Sequence, residues 1–144
     1  MSARHRARKR ALDVLFEAEA RGIPALDVLA ETNRRRGDAG EPELNPYSAE
    51  LVRGVVEHED RIDDILSTYS LGWTVERMPA VDRSILRIGV YELLWGDVPD
   101  AVAIDEAVEL ARELSTDESP AFVNGLLARV RDERSGLQPG HPTP

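Results

Sequence analysis

The chain has no cysteine, so neither a disulfide framework nor a thiolate metal site can form. Aromatic residues make up only 5%, which makes each ring worth locating. Lysine is nearly missing: 17 of the 18 basic side chains are arginine. That choice suits bidentate phosphate contacts, and it is equally what GC-rich codon usage gives. No apolar run approaches the roughly 20 residues of a membrane span, and residues 1–10 lead into an amphipathic stretch, not a signal-peptide core. The expectation is a cytoplasmic protein with no membrane partner. A Gly-rich phosphate loop, a nucleophile elbow and a Cys–His pair are all lacking. The three histidines, His5, His58 and His141, are scattered over an arginine-rich tip, an acidic stretch and the C-terminal tail. His58 has Glu57, Glu59, Asp60, Asp63 and Asp64 around it. A di-iron bundle needs Glu-x-x-His pairs, and position 55 is Val, so the run reads as a solvated face. No catalytic site, metal or cofactor is expected.

What is present points to a helical binding module. A length of 144 residues with 42% apolar side chains allows one domain with a packed interior. The net charge of −9 argues against a general nucleic-acid binder, but it averages two unlike parts. Residues 1–10 hold Arg4, Arg6, Arg8, Lys9 and Arg10 with no acid, and the rest of the chain holds 13 basic and 27 acidic side chains. A basic tip on an acidic body can hold an anion at one end and a basic protein elsewhere.

Apolar spacing is helical throughout, and nothing alternates with period two for long enough to make a sheet. Ala7, Ala11, Val14, Leu15 and Ala18 form a stripe on a helix over 4–21, ended by Gly22 and Pro24. A helix over 24–36 is expected to bury Leu26, Val28 and Leu29, before a turn-rich loop over 37–46. Ser48 precedes a long helix reaching Tyr69, with Leu51, Val52, Val55, Ile62, Ile65, Leu66 and Tyr69 inside. A helical turn over 75–78 and helices over 81–95, 101–114 and 120–134 follow. The helix over 81–95 is apolar on most of its circumference and reads as the central one. The helix over 101–114 carries the stripe Ala103, Ala107, Leu110, Ala111 and Leu114. The expected fold is all-α, a compact bundle of about seven helices in one domain over 1–134. Its two sub-bundles span 4–70 and 75–134, and residues 135–144 form a disordered tail.

Three constellations carry candidate function. On a helical wheel Arg6 and Arg10 share one side, Lys9 lies on the back, and Arg4 and Arg8 flank the apolar stripe. Such a cluster can follow a single-stranded backbone, and five phosphate contacts would give a salt slope of about −3.5. A solvated, frayed terminus is the plain reading of the same residues. Phe16 lies about 150° from the stripe centre, so it either packs under another helix or offers a contact surface. Third, Ser119 and Pro120 read as a helix start, a capping hydroxyl followed by a residue that needs no N–H partner. Val123, Leu126, Leu127 and Val130 make its apolar stripe, with Phe122 at the edge. A helix start can hold a phosphate while a neighbouring ring stacks on a base; the plain alternative is that Phe122 packs into the core.

The run Asp97–Val130, the upstream segment Val81–Leu93 and, more faintly, the arginine-rich start up to Leu12 resemble the NusB family of transcription antitermination factors. The resemblance covers about residues 4–131 in one register, and only 30–46 look individual. It implies an all-helical RNA-binding protein that recognises boxA-type single-stranded RNA together with the small-subunit ribosomal protein NusE. With other Nus factors and RNA polymerase, such a protein supports transcription of ribosomal RNA. By position, the resemblance implies RNA contacts at Arg4, Arg6, Arg8, Lys9, Arg10, Glu118 and Phe122. It implies ribosomal-protein contacts at Phe16 and Asp82, with Glu76 on the same surface. Pro120 and Ala121 are polar in some relatives, so local hydrogen bonds differ there. Two rival readings stand beside it. A homo-oligomeric helical scaffold would bury Phe16 and the basic tip in a homodimer. A NusB-like domain of a ribosomal RNA cytosine methyltransferase would need an α/β domain after it, where this sequence has a Pro-rich tail.

Overall fold

The computed structural model describes residues 2–137. Among them every regular element is helical, and no strand occurs. The helices are α1 (Ala3–Arg21), α2 (Ala25–Asp38), α3 (Pro46–Glu57), α4 (Glu59–Tyr69), α5 (Ala80–Trp95), α6 (Asp100–Leu114), α7 (Ser119–Asp132) and the single turn α8 (Arg134–Leu137), with a 3-10 turn at Val75–Arg77. The chain divides into two compact units between Glu57 and His58. The sequence places the division near 70–75; the contacts instead put α4 with the second unit.

In the first unit, Ser2 opens α1 by accepting the His5 N–H at 3.0 Å. Gly22 closes it in the left-handed conformation (φ 69°), where a side chain would be strained. The stripe predicted for α1 is buried, with Leu12 added to it. Small residues on α1 let α3 come close, and the buried Ser48 hydroxyl donates to the Ala7 carbonyl at 2.8 Å. Ser48 therefore lies inside α3; the side chain that receives a first-turn N–H is Asn45, which accepts from Tyr47 at 2.8 Å. Val28 and Leu29 of α2 are buried, but Leu26 is exposed. The pattern misjudged Leu26 because it lies about 200° round the helix from Val28. Helix α2 runs to Asp38, into the expected loop. Its Asn33 carboxamide oxygen accepts the Leu44 N–H at 2.9 Å and ties down the connection.

The second unit starts where the expected long helix breaks. At His58 the backbone leaves helical geometry (φ −108°, ψ 17°), and the imidazole stacks on Trp95 with centroids 3.9 Å apart and 7° between planes. The reading of this run as a wholly solvated face fails at His58, whose ring partner lies 37 residues downstream. Helix α5 packs against α4, α6 and α7 and is buried on most of its circumference. Gly89 permits the α5–α7 approach: a Cβ there would lie 2.7 Å from Leu127 Cδ1. Val123, Leu126, Leu127 and Val130 are fully buried, as their spacing predicts. On α6, Ile104 joins the buried stripe, while Leu114, its last residue, is exposed. Asp63 receives a bidentate pair of hydrogen bonds from Arg87 at 2.9 and 3.0 Å. Tyr69 is half-buried, and its carbonyl accepts from Arg129 Nε at 2.9 Å. The expected loose tail is helical as far as Leu137; its remainder, with His141, lies outside the described residues.

Leu127 fills the space that Gly89 leaves, so Leu127→Ala should cost about 2–5 kcal/mol. Urea unfolding followed by circular dichroism checks this, and a loss under about 1 kcal/mol would show that the α5–α7 contact is not close-packed.

Candidate nucleic-acid interface

The arginine-rich start of α1 is not uniformly exposed. Arg4, Arg6 and Arg10 are exposed and Lys9 is half-buried, but Arg8 is only 2% exposed. Tyr47 of α3 explains the difference. Its ring lies 4.4 Å from the Arg4 guanidinium and 5.5 Å from that of Arg8, within cation–π range. Arg8 thus packs into the first unit with its aliphatic stem covered, whereas Arg4 lies over the ring and keeps an exposed head. His5 is buried beside them. Arg10 lies 3.9 Å from the Asp13 carboxylate, with both side chains largely exposed, a spacing that leaves the guanidinium available to an outside anion. Phe16 is 41% exposed, so part of its ring is open to solvent.

In the second unit a cleft of about 200 Å³ is lined by Trp73, Pro79, Asp82, Thr116, Glu118, Ser119 and Phe122. Its floor is a hydroxyl–carboxylate cluster. Asp82 of α5 is 3% exposed; its two carboxylate oxygens accept from the Ser115 hydroxyl at 2.6 Å and the Ser119 hydroxyl at 2.9 Å. Each hydroxyl has one hydrogen. With both serine hydrogens on Asp82, the 2.9 Å contact between Thr116 and Ser119 is donated by Thr116. Ser119 therefore does not cap α7. Its hydroxyl points to Asp82, and no side chain receives the first N–H groups. The backbone N–H of Ser119 donates to Thr116 and that of Phe122 to Glu118, while Pro120 has none to give. With these donors engaged and two carboxylates in the wall, this helix start repels a phosphate. What the cleft offers is aromatic surface beside an acceptor.

Phe122 is half-buried and touches Trp73, with ring centroids 6.3 Å apart and planes tilted by 56°. Glu118 is exposed, and its carboxylate has no hydrogen-bond partner among the described residues. The wall beside Trp73 is pinned by Arg83, whose guanidinium donates to the carbonyls of Val75 at 3.0 Å and Met78 at 2.7 Å. Burial, with the charge of Arg87 behind it, lowers the pKa of this guanidinium. Arginine nevertheless stays charged, and the two carbonyls compensate it. Glu76, on the 3-10 turn, is exposed. The residues expected at a ribosomal-protein surface are thus spread over both units: Phe16 in the first, Glu76 and Asp82 in the second. Asp82 is buried among the residues around Glu118 and Phe122, not displayed on a surface. The pattern gave no reason to single out Trp73, Ser115 or Thr116. The one available signal is an indole directly after Gly72.

Comparison with known proteins identifies the family of the chain. The model of the NusB family matches residues 5–132. The transcription antitermination protein NusB of Kineococcus radiotolerans is 57% identical over 138 residues, 95% of this chain and 98% of its own length. That of Arthrobacter sp. is 59% identical, with the same coverage. Among solved structures, T. maritima NusB superposes with a TM-score of 0.76 at 32% identity, covering 93% of each chain. A structure of antitermination factors NusB and NusE in complex with double-stranded RNA gives 0.77 at 25% identity, covering 92% of this chain and 98% of that one.

If Asp82 and Ser119 form one buried unit, their substitutions will not add. Asp82→Asn, Ser119→Ala and the double variant should show a coupling of about 0.5–3 kcal/mol in unfolding free energy. Strict additivity would mean that the hydroxyl and the carboxylate act independently.

Proposed function

Because this chain belongs to the NusB family, we propose that it is an RNA-binding antitermination factor that holds single-stranded boxA-type RNA together with NusE. The observation that carries the reading is the cation array of α1 on an otherwise acidic chain. Arg4, Arg6 and Arg10 are exposed, Lys9 is half-buried, and Arg4 is held over Tyr47. Exposed cations on one helix bind phosphates with little choice of sequence. The cleft around Glu118 and Phe122 adds base contacts, and there a carboxylate can choose among base edges. A structure of NusB and NusE with double-stranded RNA among the similar folds supports RNA and NusE as the partner classes.

The ribosomal protein is assigned to acidic and aromatic surface, with Phe16 of the first unit as an apolar anchor and Glu76 of the second as a charged contact. Asp82 serves this surface indirectly, through the elements it holds. In this account the protein assembles a complex, and RNA polymerase and the other Nus factors act on the result.

Burial of Arg8 lowers the expected number of phosphate contacts from α1 to four, so the salt slope for single-stranded RNA should be no steeper than about −2.8. Titrations at several salt concentrations measure it. A slope near zero would remove the cation array from the interface. Phe122→Ala should weaken RNA binding several-fold, with helical content retained because the ring is only half-buried. Phe16→Asp should abolish capture of NusE in a pull-down while leaving RNA binding and helical content unchanged. Retained capture would place the partner elsewhere.

A further inference from the structure

Trp73 is the most exposed aromatic ring among the described residues, at 52%, and it stands in the wall of the cleft. Its backbone is held with care. Leu71 and Gly72 both take positive φ, 53° and 96°, and the Ser70 hydroxyl donates to the Trp73 carbonyl. A leucine in the left-handed region costs conformational energy, and its own side chain is 75% exposed, so no burial of that side chain offsets the cost. What the turn achieves is to set the indole against Phe122. The two rings are already in contact, 6.3 Å apart and tilted by 56°, which is the edge-to-face range of aromatic pairs. A nucleobase has no space between them. It has the outer face of the indole.

We propose that Trp73 is the base-stacking platform of this cleft, that Phe122 positions it from behind, and that Glu118 accepts a hydrogen bond from the exocyclic amine of the stacked base. The inference rests on the RNA-binding reading above and refines it. A carboxylate only accepts hydrogen bonds. Both oxygens of Asp82 are already taken by Ser115 and Ser119, which leaves Glu118 as the reader. Adenine, cytosine and guanine offer an amine to it; uracil offers one N–H flanked by two carbonyl oxygens that the carboxylate repels. The cleft therefore takes an amino-bearing base in preference to uracil.

The chain has two tryptophans, and Trp95 is stacked on His58, so Trp95→Phe leaves Trp73 as the sole indole reporter. This variant is titrated with dye-labelled oligoadenylate, oligocytidylate and oligouridylate of equal length. Anisotropy reads binding and indole emission reads stacking. The expected result is quenching that tracks the anisotropy, with oligouridylate binding more weakly than the other two. Trp73→Ala should then weaken oligoadenylate by about 5- to 150-fold, the range that stacking one base supplies. Trp73→Phe should recover part of that loss, which a folding defect would not allow. Glu118→Ala should erase the discrimination against oligouridylate. RNA binding with unchanged indole emission and native affinity in Trp73→Ala would overturn this inference and leave the RNA-binding reading standing. Emission that responds to NusE alone and not to RNA would make Trp73 a protein contact and overturn it too. No anisotropy change with any RNA would overturn the RNA-binding reading itself.

Discussion

A carboxylate buried on α5 holds the second unit's cleft together. Asp82 accepts one hydroxyl from the residue that ends α6 and another from the residue that begins α7. Burying a charged group without partners costs several kcal/mol, and each charge-assisted hydrogen bond returns about 1.5–3 kcal/mol. The connection between α6 and α7 is therefore not free to drift. Glu118 precedes Ser119 in the chain and Phe122 follows it by about one turn, so both inherit their positions from this cluster. On the opposite wall Arg83 does the same for the turn after Trp73, by binding carbonyls in place of a carboxylate. Two polar residues on a helix that is otherwise mostly apolar thus fix both sides of one small cleft.

Charge then decides what reaches the protein. An acidic body disfavours nucleic acid over most of the surface, and in the proposed reading the cations of α1 take the phosphates. Affinity from such contacts is salt-sensitive and nearly blind to sequence. Selectivity has to come from a place with shape and a fixed acceptor, and the cleft supplies both. The division of labour is the usual one for single-stranded RNA, with cations for the backbone and aromatic rings for the bases.

Helix positions and most buried stripes were legible in the sequence because period-3.6 burial is a local signal. The misreadings have particular causes. Leu26 and Leu114 lie in terminal turns, where the chain passes out of the core and an apolar side chain need not be covered. The wheel put Arg8 at the flank of the stripe, but its burial depends on Tyr47, a partner some 40 residues away that no local pattern contains. The same holds for His58, whose neighbours in sequence are acids and whose neighbour in space is Trp95. Ser119 has the sequence of a cap and the geometry of a hydrogen-bond donor to α5, since Asp82 competes for its hydroxyl. Glu118 and Phe122, which the resemblance gives to RNA, share a cleft with Asp82, which it gives to the ribosomal protein. Trp73 did not stand out, because an aromatic residue after a glycine turn has no pattern of its own.

The central claim is that one chain joins RNA to a ribosomal protein, and linkage tests it directly. If both ligands bind compatibly and stabilise the same arrangement, each must raise affinity for the other by the same factor. We would measure the dissociation constant of boxA RNA with and without saturating NusE, and that of NusE with and without saturating RNA. The account predicts tightening in both directions by one common factor, on the order of 5- to 150-fold. NusE that displaces the RNA, or RNA that displaces NusE, would contradict it.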